Sequence, residues 1–230
     1  MRQALNGVET LFLVSASEAY DRVRQHTTAI DAAVAAGVER VVYLSFLAAA
    51  PDATFTFARD HFHTEEHVRS TGLRHTFLRP SLYLDLLPTW VGADACIRGP
   101  AGDGRVAWIA RDDLADVAAA VLLQGGHDGQ TYDVTGPEAV TLAESAQLLA
   151  RVIGRPISYR RESLAEARAS RAPSGAPDWE IEGWITSYAA IATGELNVVS
   201  EAVTTVAGHE PQTVQEYLRR HPESYRGLLS

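Results

Sequence analysis

Two short apolar runs, "TLFLVS" (Thr10–Ser15) and "RVVYLS" (Arg40–Ser45), flank one helical stretch near the start of this chain. Neither alternates apolar with polar residues, as a strand with one wet face would. Unbroken runs are the pattern of strands buried on both faces of a parallel sheet. Between them Ser17 can act as an N-cap with Glu18 in the first turn. Val23, Thr27, Ile30, Ala33 and Val34 recur at helical spacing, and Gly37 supplies the stop. Strand, helix and strand with short links make a βαβ crossover, so the two strands should be parallel and adjacent.

The alternation continues. After a loop through Pro51, a helix is expected over Phe57–Ser70, closed by Gly72, and "RHTFLRP" (Arg74–Pro80) is a third strand ended by proline. "GRVAWIA" (Gly104–Ala110) reads as another strand running into the helix "RDDLADVAAAVLL", with Asp112 as a candidate cap, and "GQTYDVTGP" closes the sheet. The fold class is α/β, a doubly wound parallel sheet. From Val140 the texture changes. "TLAE" (Thr141–Glu144) and "SLAE" (Ser163–Glu166) are capping boxes, with a strand expected at "RPISYRR" between them. A Pro/Gly/Ser-rich loop at 170–178 precedes a mostly helical lobe carrying Trp179 and Trp184.

The bulk numbers exclude several functions. A net charge of −9, with arginines only in pairs such as Arg160-Arg161 and Arg219-Arg220, argues against nucleic acid or anionic membrane as partner. The single cysteine, Cys96, excludes an internal disulfide and any Cys-rich zinc site. No apolar stretch approaches the ~20 residues of a membrane span and no signal peptide is visible, so a cytoplasmic protein is expected. All 20 basic residues are arginine. Without lysine there is no Walker-type phosphate lysine, no Schiff base and no Tyr-x-x-x-Lys pair.

"LFLVSAS", "AAVAAGVERVVYLSFLAA", "DHFHTEEHVRSTGLRHTFLRPSLY", "GDGRVAWIARDDLADVAAAVL" and "TYDVTGPEAVTLAESAQLLA" resemble, in order, successive segments of the NmrA-like proteins. These are atypical short-chain dehydrogenase/reductases, and the likeness is to the NAD(P)H:quinone oxidoreductase and triphenylmethane reductase branch. The resemblance implies a Rossmann-like sheet. Residues 1–138 would form a partial NAD(P)-binding domain and residues 139–230 a smaller, mostly helical substrate-binding lobe. It also implies that the strand matching Thr10–Ser15 is the family's fourth. A Gly-x-x-Gly-x-x-Gly turn and two βαβ units, roughly 60 residues, would then precede it. These 230 residues contain no such turn. On that reading the chain is N-terminally truncated and binds NADP or NAD weakly or not at all, because the turn cradles the pyrophosphate. With the preceding strands gone, Thr10–Ser15 is expected at a sheet edge, open to pairing with a second copy as a homodimer.

The same resemblance nominates site residues. Ser15, Ala16 and Ser17, at the carboxyl end of the first strand, would line the cofactor, although Ser17 could equally be a plain cap. Ser45 matches the superfamily's active-site Ser/Thr, with Phe46 beside it. Pro80, Ser81, Leu82 and Tyr83 would pass the nicotinamide carboxamide, and Tyr83 would reach the substrate or pack in the core. The superfamily's catalytic tyrosine is not matched: "YDRVR" (Tyr20–Arg24) follows the wrong strand. His61, in a "DH–TE" segment formed by Asp60, His61, Thr64 and Glu65, stands near the usual lysine position. Phe57, His61, Thr64, Glu65 and Val68 share one helical face, so His61 is sheet-facing, as a cofactor contact or as a satisfied core histidine. His61 and Tyr83 are the catalytic candidates.

"HTEEH" (His63–His67) spells an inverted zinc-peptidase signature, but His63 and His67 fall roughly 200° and 240° round the helix from His61, on the outer face. No metal site is expected. Trp108, Trp179 and Trp184 could wall a pocket or fill the core. The implied activity is hydride transfer from NAD(P)H to a quinone-like small-molecule acceptor, where positioning carries much of the catalysis. The alternatives are a non-catalytic NAD(P)-sensing or partner-binding protein, and a remnant that does nothing with nucleotide.

Overall fold

The computed structural model describes residues 2–15 and 17–229. In chain order the strands are β1 (Thr10–Val14), β2 (Arg40–Leu44), β3 (Arg74–Pro80), β4 (Cys96–Gly99), β5 (Arg105–Val106), β6 (Thr131–Val134), β7 (Val140–Thr141) and β8 (Ser158–Arg161). The α-helices are α1 (Arg22–Ala36), α2 (Thr56–Ser70), α3 (Arg111–Leu123), α4 (Leu142–Ile153), α5 (Leu164–Arg171), α6 (Asp178–Ala192) and α7 (Val214–Arg220).

The main sheet has the order β1-β2-β3-β6 with every pair parallel, Phe12 opposite Val42 and Tyr43 opposite Phe77. Side chains of β2 alternate between faces. Val41 and Tyr43 pack with Ile30 of α1 and Val68 of α2, whereas Val42 packs with Val117 and Val121 of α3. Helices therefore cover both faces, and the fold is Rossmann-like and doubly wound. Among the described residues β1 pairs only with β2 and forms one edge, where Val14 is 54% exposed. No helix among the described residues is long and apolar enough to cross a membrane.

Several local expectations are corrected. α1 begins at Arg22 rather than Ser17, and its N-cap is Asp21, whose carboxylate is taken by Arg24 and Gln25 instead of capping backbone. The buried stripe turns accordingly: Arg22, His26, Ile30 and Ala33 face inward and Val34 is outside. Asp112 is not the cap of α3. Ala110 is, and Asp112 sits in the first turn, where its charge suits the helix dipole. "GRVAWIA" contributes only β5, paired antiparallel with β7 outside the main sheet. Beyond Val106 its backbone bonds to loops, Ala107 N–H to Leu196 O and Ile109 N–H to Leu82 O, so no further ladder forms. β8 pairs with β4, also outside the main sheet.

Both capping boxes form as read, Thr141 with Glu144 and Ser163 with Glu166. The largest apolar cluster runs from Leu47 and Leu82 through Trp108 to Leu142, Leu149, Tyr188 and Leu218, continuous across residues 138 and 139. Trp108 belongs to that core, its Nε1 donating to Ser145 Oγ at 3.0 Å.

Candidate active site

A cavity of about 900 Å³ opens outside the carboxyl ends of β1, β2 and β3. Ser15 and Ser17 follow β1, Ser45 and Phe46 follow β2, and Ser81, Leu82 and Tyr83 follow β3; all seven line it, with His61 of α2. Of the expected site residues, Pro80 does not. It ends β3 buried, and its carbonyl accepts the Leu47 N–H at 2.9 Å. Ala16 lies outside the described residues. The opposite wall is apolar: Phe55, Phe57 and Trp90, with Gly183, Trp184 and Ser187 on one face of α6. Trp184 thus lines the cavity, while Trp179 packs on Phe57 behind it.

Two buried polar systems stand behind the lining. In the first, Tyr43 Oη lies 2.7 Å from His61 Nδ1 and 3.3 Å from Ser15 Oγ, and His26 Nδ1 lies 2.9 Å from Thr64 Oγ1. Thr64 donates its own proton to Asp60 O, so it accepts from His26 Nδ1–H. Tyr43 is then free to donate to its nearest acceptor, His61 Nδ1, which leaves the His61 proton on Nε2. Burial pushes the Tyr43 hydroxyl up to about 12, so it stays protonated, and burial, followed by the charges of Arg22 and His26, holds His61 well below its ordinary value. His61 is a neutral donor here, not an imidazolium.

In the second system Glu65, fully buried on α2, accepts from Ser45 Oγ at 2.6 Å, from Arg79 Nε and Nη2 at 2.8 and 2.6 Å, and from Arg69 Nη2 at 3.0 Å. Ser45 therefore spends its proton on Glu65. Tyr83 lies under the Arg111 guanidinium, 4.8 Å from ring centroid to Cζ. The outer histidines stay apart from this. His63 is exposed, His67 Nε2 meets Asp31 at 2.8 Å, and no three His, Cys, Asp or Glu side chains gather as a metal site among the described residues.

Sequence reasoning missed Tyr43, Arg22 and the Glu65–Arg79 pair. Tyr43 left a signal: a lone phenol in a strand read as buried on both faces has to find a buried partner. The buried histidines also set a pH response. Burial and then Arg22 lower His26 to about 4 from 6.5, so between those values the unfolded chain binds a proton that the folded chain refuses. Stability is therefore full above pH 6.5 and falls as pH drops toward 4. Urea midpoints across that range should decline in the native protein and less steeply in His26→Gln; parallel slopes would exclude His26 as a source.

A parallel sheet wrapped by helices, with a cavity beyond its strand ends, is how Rossmann-like folds take up dinucleotides. The chain belongs to the NmrA-like family, whose model matches residues 1–218. The resemblance read from the sequence is thus borne out. The chain is 34% identical over 220 residues to quinone oxidoreductase 2 of Escherichia coli strain K12, across 94% of this chain and 76% of that protein. Its structure is similar to that of the Escherichia coli NADPH-dependent quinone oxidoreductase complexed with NADPH, with a TM-score of 0.86 and 32% identity over 95% of this chain and 78% of that one. For the Citrobacter sp. triphenylmethane reductase complexed with NADP(H), the TM-score is 0.83 and the identity 28%, over 95% and 78%.

Proposed function

We propose that this protein is an NAD(P)H-dependent oxidoreductase that delivers hydride to a quinone-like, electron-poor acceptor in the cavity between the sheet and α6. The observation that carries this is the pairing of a neutral, hydrogen-bonded His61 with a wide apolar wall in one cavity. A planar apolar acceptor suits Phe55, Phe57 and Trp184, and such an acceptor needs positioning more than strong acid catalysis. The two solved structures described above are complexes with NADPH and NADP(H).

The residues present fit the nicotinamide end of such a cofactor. Ser81 Oγ is buried, lines the cavity and has no hydrogen-bond partner, which suits a carboxamide that can both donate and accept. Bound there, a reduced nicotinamide dinucleotide supplies a hydride. Ser15, Ser17, Ser45, Phe46, Leu82 and Tyr83 form the rest of its surroundings. His61 holds a proton on Nε2 toward the acceptor, and Tyr43 refills Nδ1 as that proton leaves, with Ser15 next in the chain. Tyr83 orients the acceptor with its hydroxyl, which burial keeps protonated. Residues 139–230, through α6, close the cavity and exclude water.

The test is NADPH oxidation with 1,4-benzoquinone, followed by absorbance. The native protein should turn over with a high KM for NADPH, because these 230 residues carry no glycine turn for the pyrophosphate. His61→Ala should lower kcat on the order of 100-fold, and Tyr83→Phe should lower it less, while His63→Ala and His67→Ala leave it unchanged. A native protein that oxidises no NADPH with any quinone would sink the proposal.

A further inference from the structure

Arg22 is the first residue of α1, yet its side chain turns inward. The residue is 6% exposed, lines the main cavity, and its Nε is buried without a hydrogen-bond partner. Arg111, the other arginine on the cavity wall, is by contrast neutralised by Asp85 at 3.1 Å. Among the described residues no carboxylate comes within salt-bridge distance of Arg22. Asp60 feels its charge, but burial dominates there and pushes that carboxyl up, and Glu18 is exposed. A guanidinium taken out of water without a counter-charge is costly, so its place calls for an anion.

The charge also reaches the reacting groups. After burial, Arg22 is the next cause that lowers His61, and it pulls down the hydroxyls of Tyr43 and Tyr83 against their burial. His61 is thereby kept neutral and cannot itself supply positive charge. Arg22 can.

We infer that Arg22 is the cation that stabilises the negative charge appearing on the acceptor's oxygen as that acceptor takes a hydride in this cavity. The inference rests on the reductase reading above. When a quinone receives a hydride from a reduced nicotinamide dinucleotide, a new O–H bond forms and both C=O π bonds are lost to the aromatic ring. The electron pair comes to rest on the second oxygen, and the dinucleotide leaves oxidised. One proton, from His61 and ultimately from solvent, completes the hydroquinone. A preorganised donor aimed at such an oxyanion, in a site shielded from water, acts on the transition state more than on the ground state.

Charge type separates this role from any other. A neutral quinone becomes an anion on taking hydride, whereas a cationic triarylmethane dye becomes neutral. Arg22→Gln should therefore lower benzoquinone reduction on the order of 100-fold, leave dye reduction equal or faster, and fold at least as stably because it removes an unpaired buried charge. Arg22→Lys should restore part of the quinone rate. Equal losses on both acceptors, as a cofactor-phosphate contact would give, or an unchanged quinone rate, would overturn the inference. A second measurement needs no turnover. 4-Nitrophenol, whose ionisation is read from its visible absorbance, should bind to the native protein as phenolate at a pH where it is half-protonated in solution, and lose that preference in Arg22→Gln. An ionisation that binding leaves unshifted, or a shift that survives Arg22→Gln, overturns the inference on its own. If the native protein reduces neither acceptor, the reductase reading fails, and the nitrophenol result still decides whether Arg22 holds an oxyanion.

Discussion

Glu65→Ala should cost about 3–5 kcal/mol of folding stability, the loss expected when one partner of a buried ion pair is removed. Glu65 is fully buried and takes four hydrogen bonds, three of them from guanidinium groups of Arg79 and Arg69. Deleting it leaves Arg79, itself only 20% exposed at the side chain, with its planar fork unmatched. Ser45 loses its acceptor at the same time. Glu65→Gln should recover little, because an amide NH2 would then face a guanidinium. The double variant Glu65→Leu/Arg79→Met should recover most of the loss, since replacing both partners by apolar groups of similar volume removes the desolvation penalty along with the bond. Urea unfolding at constant slope reads all three. A Glu65→Ala midpoint within error of the native one would mean that this network does not hold α2 against the sheet.

Gly104→Ala should be nearly as damaging, by at least about 3 kcal/mol, at the upper end of overpacking costs. A β-carbon there would stand 2.0 Å from the carbonyl oxygen of Ile191 and 2.8 Å from Cα of Ala192. Those atoms are helix backbone, which cannot rotate aside as a side chain can. The carboxyl-terminal turn of α6 would have to lift off the body of the protein, and α6 carries one wall of the cavity. Thermal unfolding and quinone KM should therefore move together in Gly104→Ala. An unperturbed melting curve would show that this contact is looser than the close approach implies.

What was legible in the sequence was what is decided locally or by period. β3 falls on the residues read for it, Arg74–Pro80, because an apolar run ended by proline has few alternatives. The Thr141/Glu144 and Ser163/Glu166 capping boxes formed because each needs only four residues. The face of α2 carrying His61, Thr64 and Glu65 was readable from helical geometry and is the buried one. The start of α1 was not, because Ser17 looks like a cap, whereas the N-cap, Asp21, makes no side-chain capping bond that would mark it. Nor was Glu65's partnership with Ser45 and Arg79, 20 and 14 residues away, since it depends on how α2 sits over β2 and β3. Arg22 was hidden for the same reason: Ile30 and Ala33 were read on the inward face of α1, but Val23 and Thr27 were read there in place of Arg22 and His26.

Glu180, Gly183, Trp184 and Ser187 reach the cavity from one stripe of α6, while the polar groups proposed to act on the acceptor sit across it on α1, α2, β2 and the loop after β3. Within that apolar wall α6 sits hard against α2 at Gly183, where a β-carbon would fall 2.3 Å from the Phe57 ring. In the proposed function, acceptor size and shape are read by this stripe of α6 together with Phe55, Phe57 and Trp90, none of which belongs to the buried hydrogen-bond chains. Glu180, Trp184 and Ser187 can be randomised together as one cassette, with Gly183 left fixed as the hinge of the contact, and the library will vary in appetite while its machinery is inherited whole.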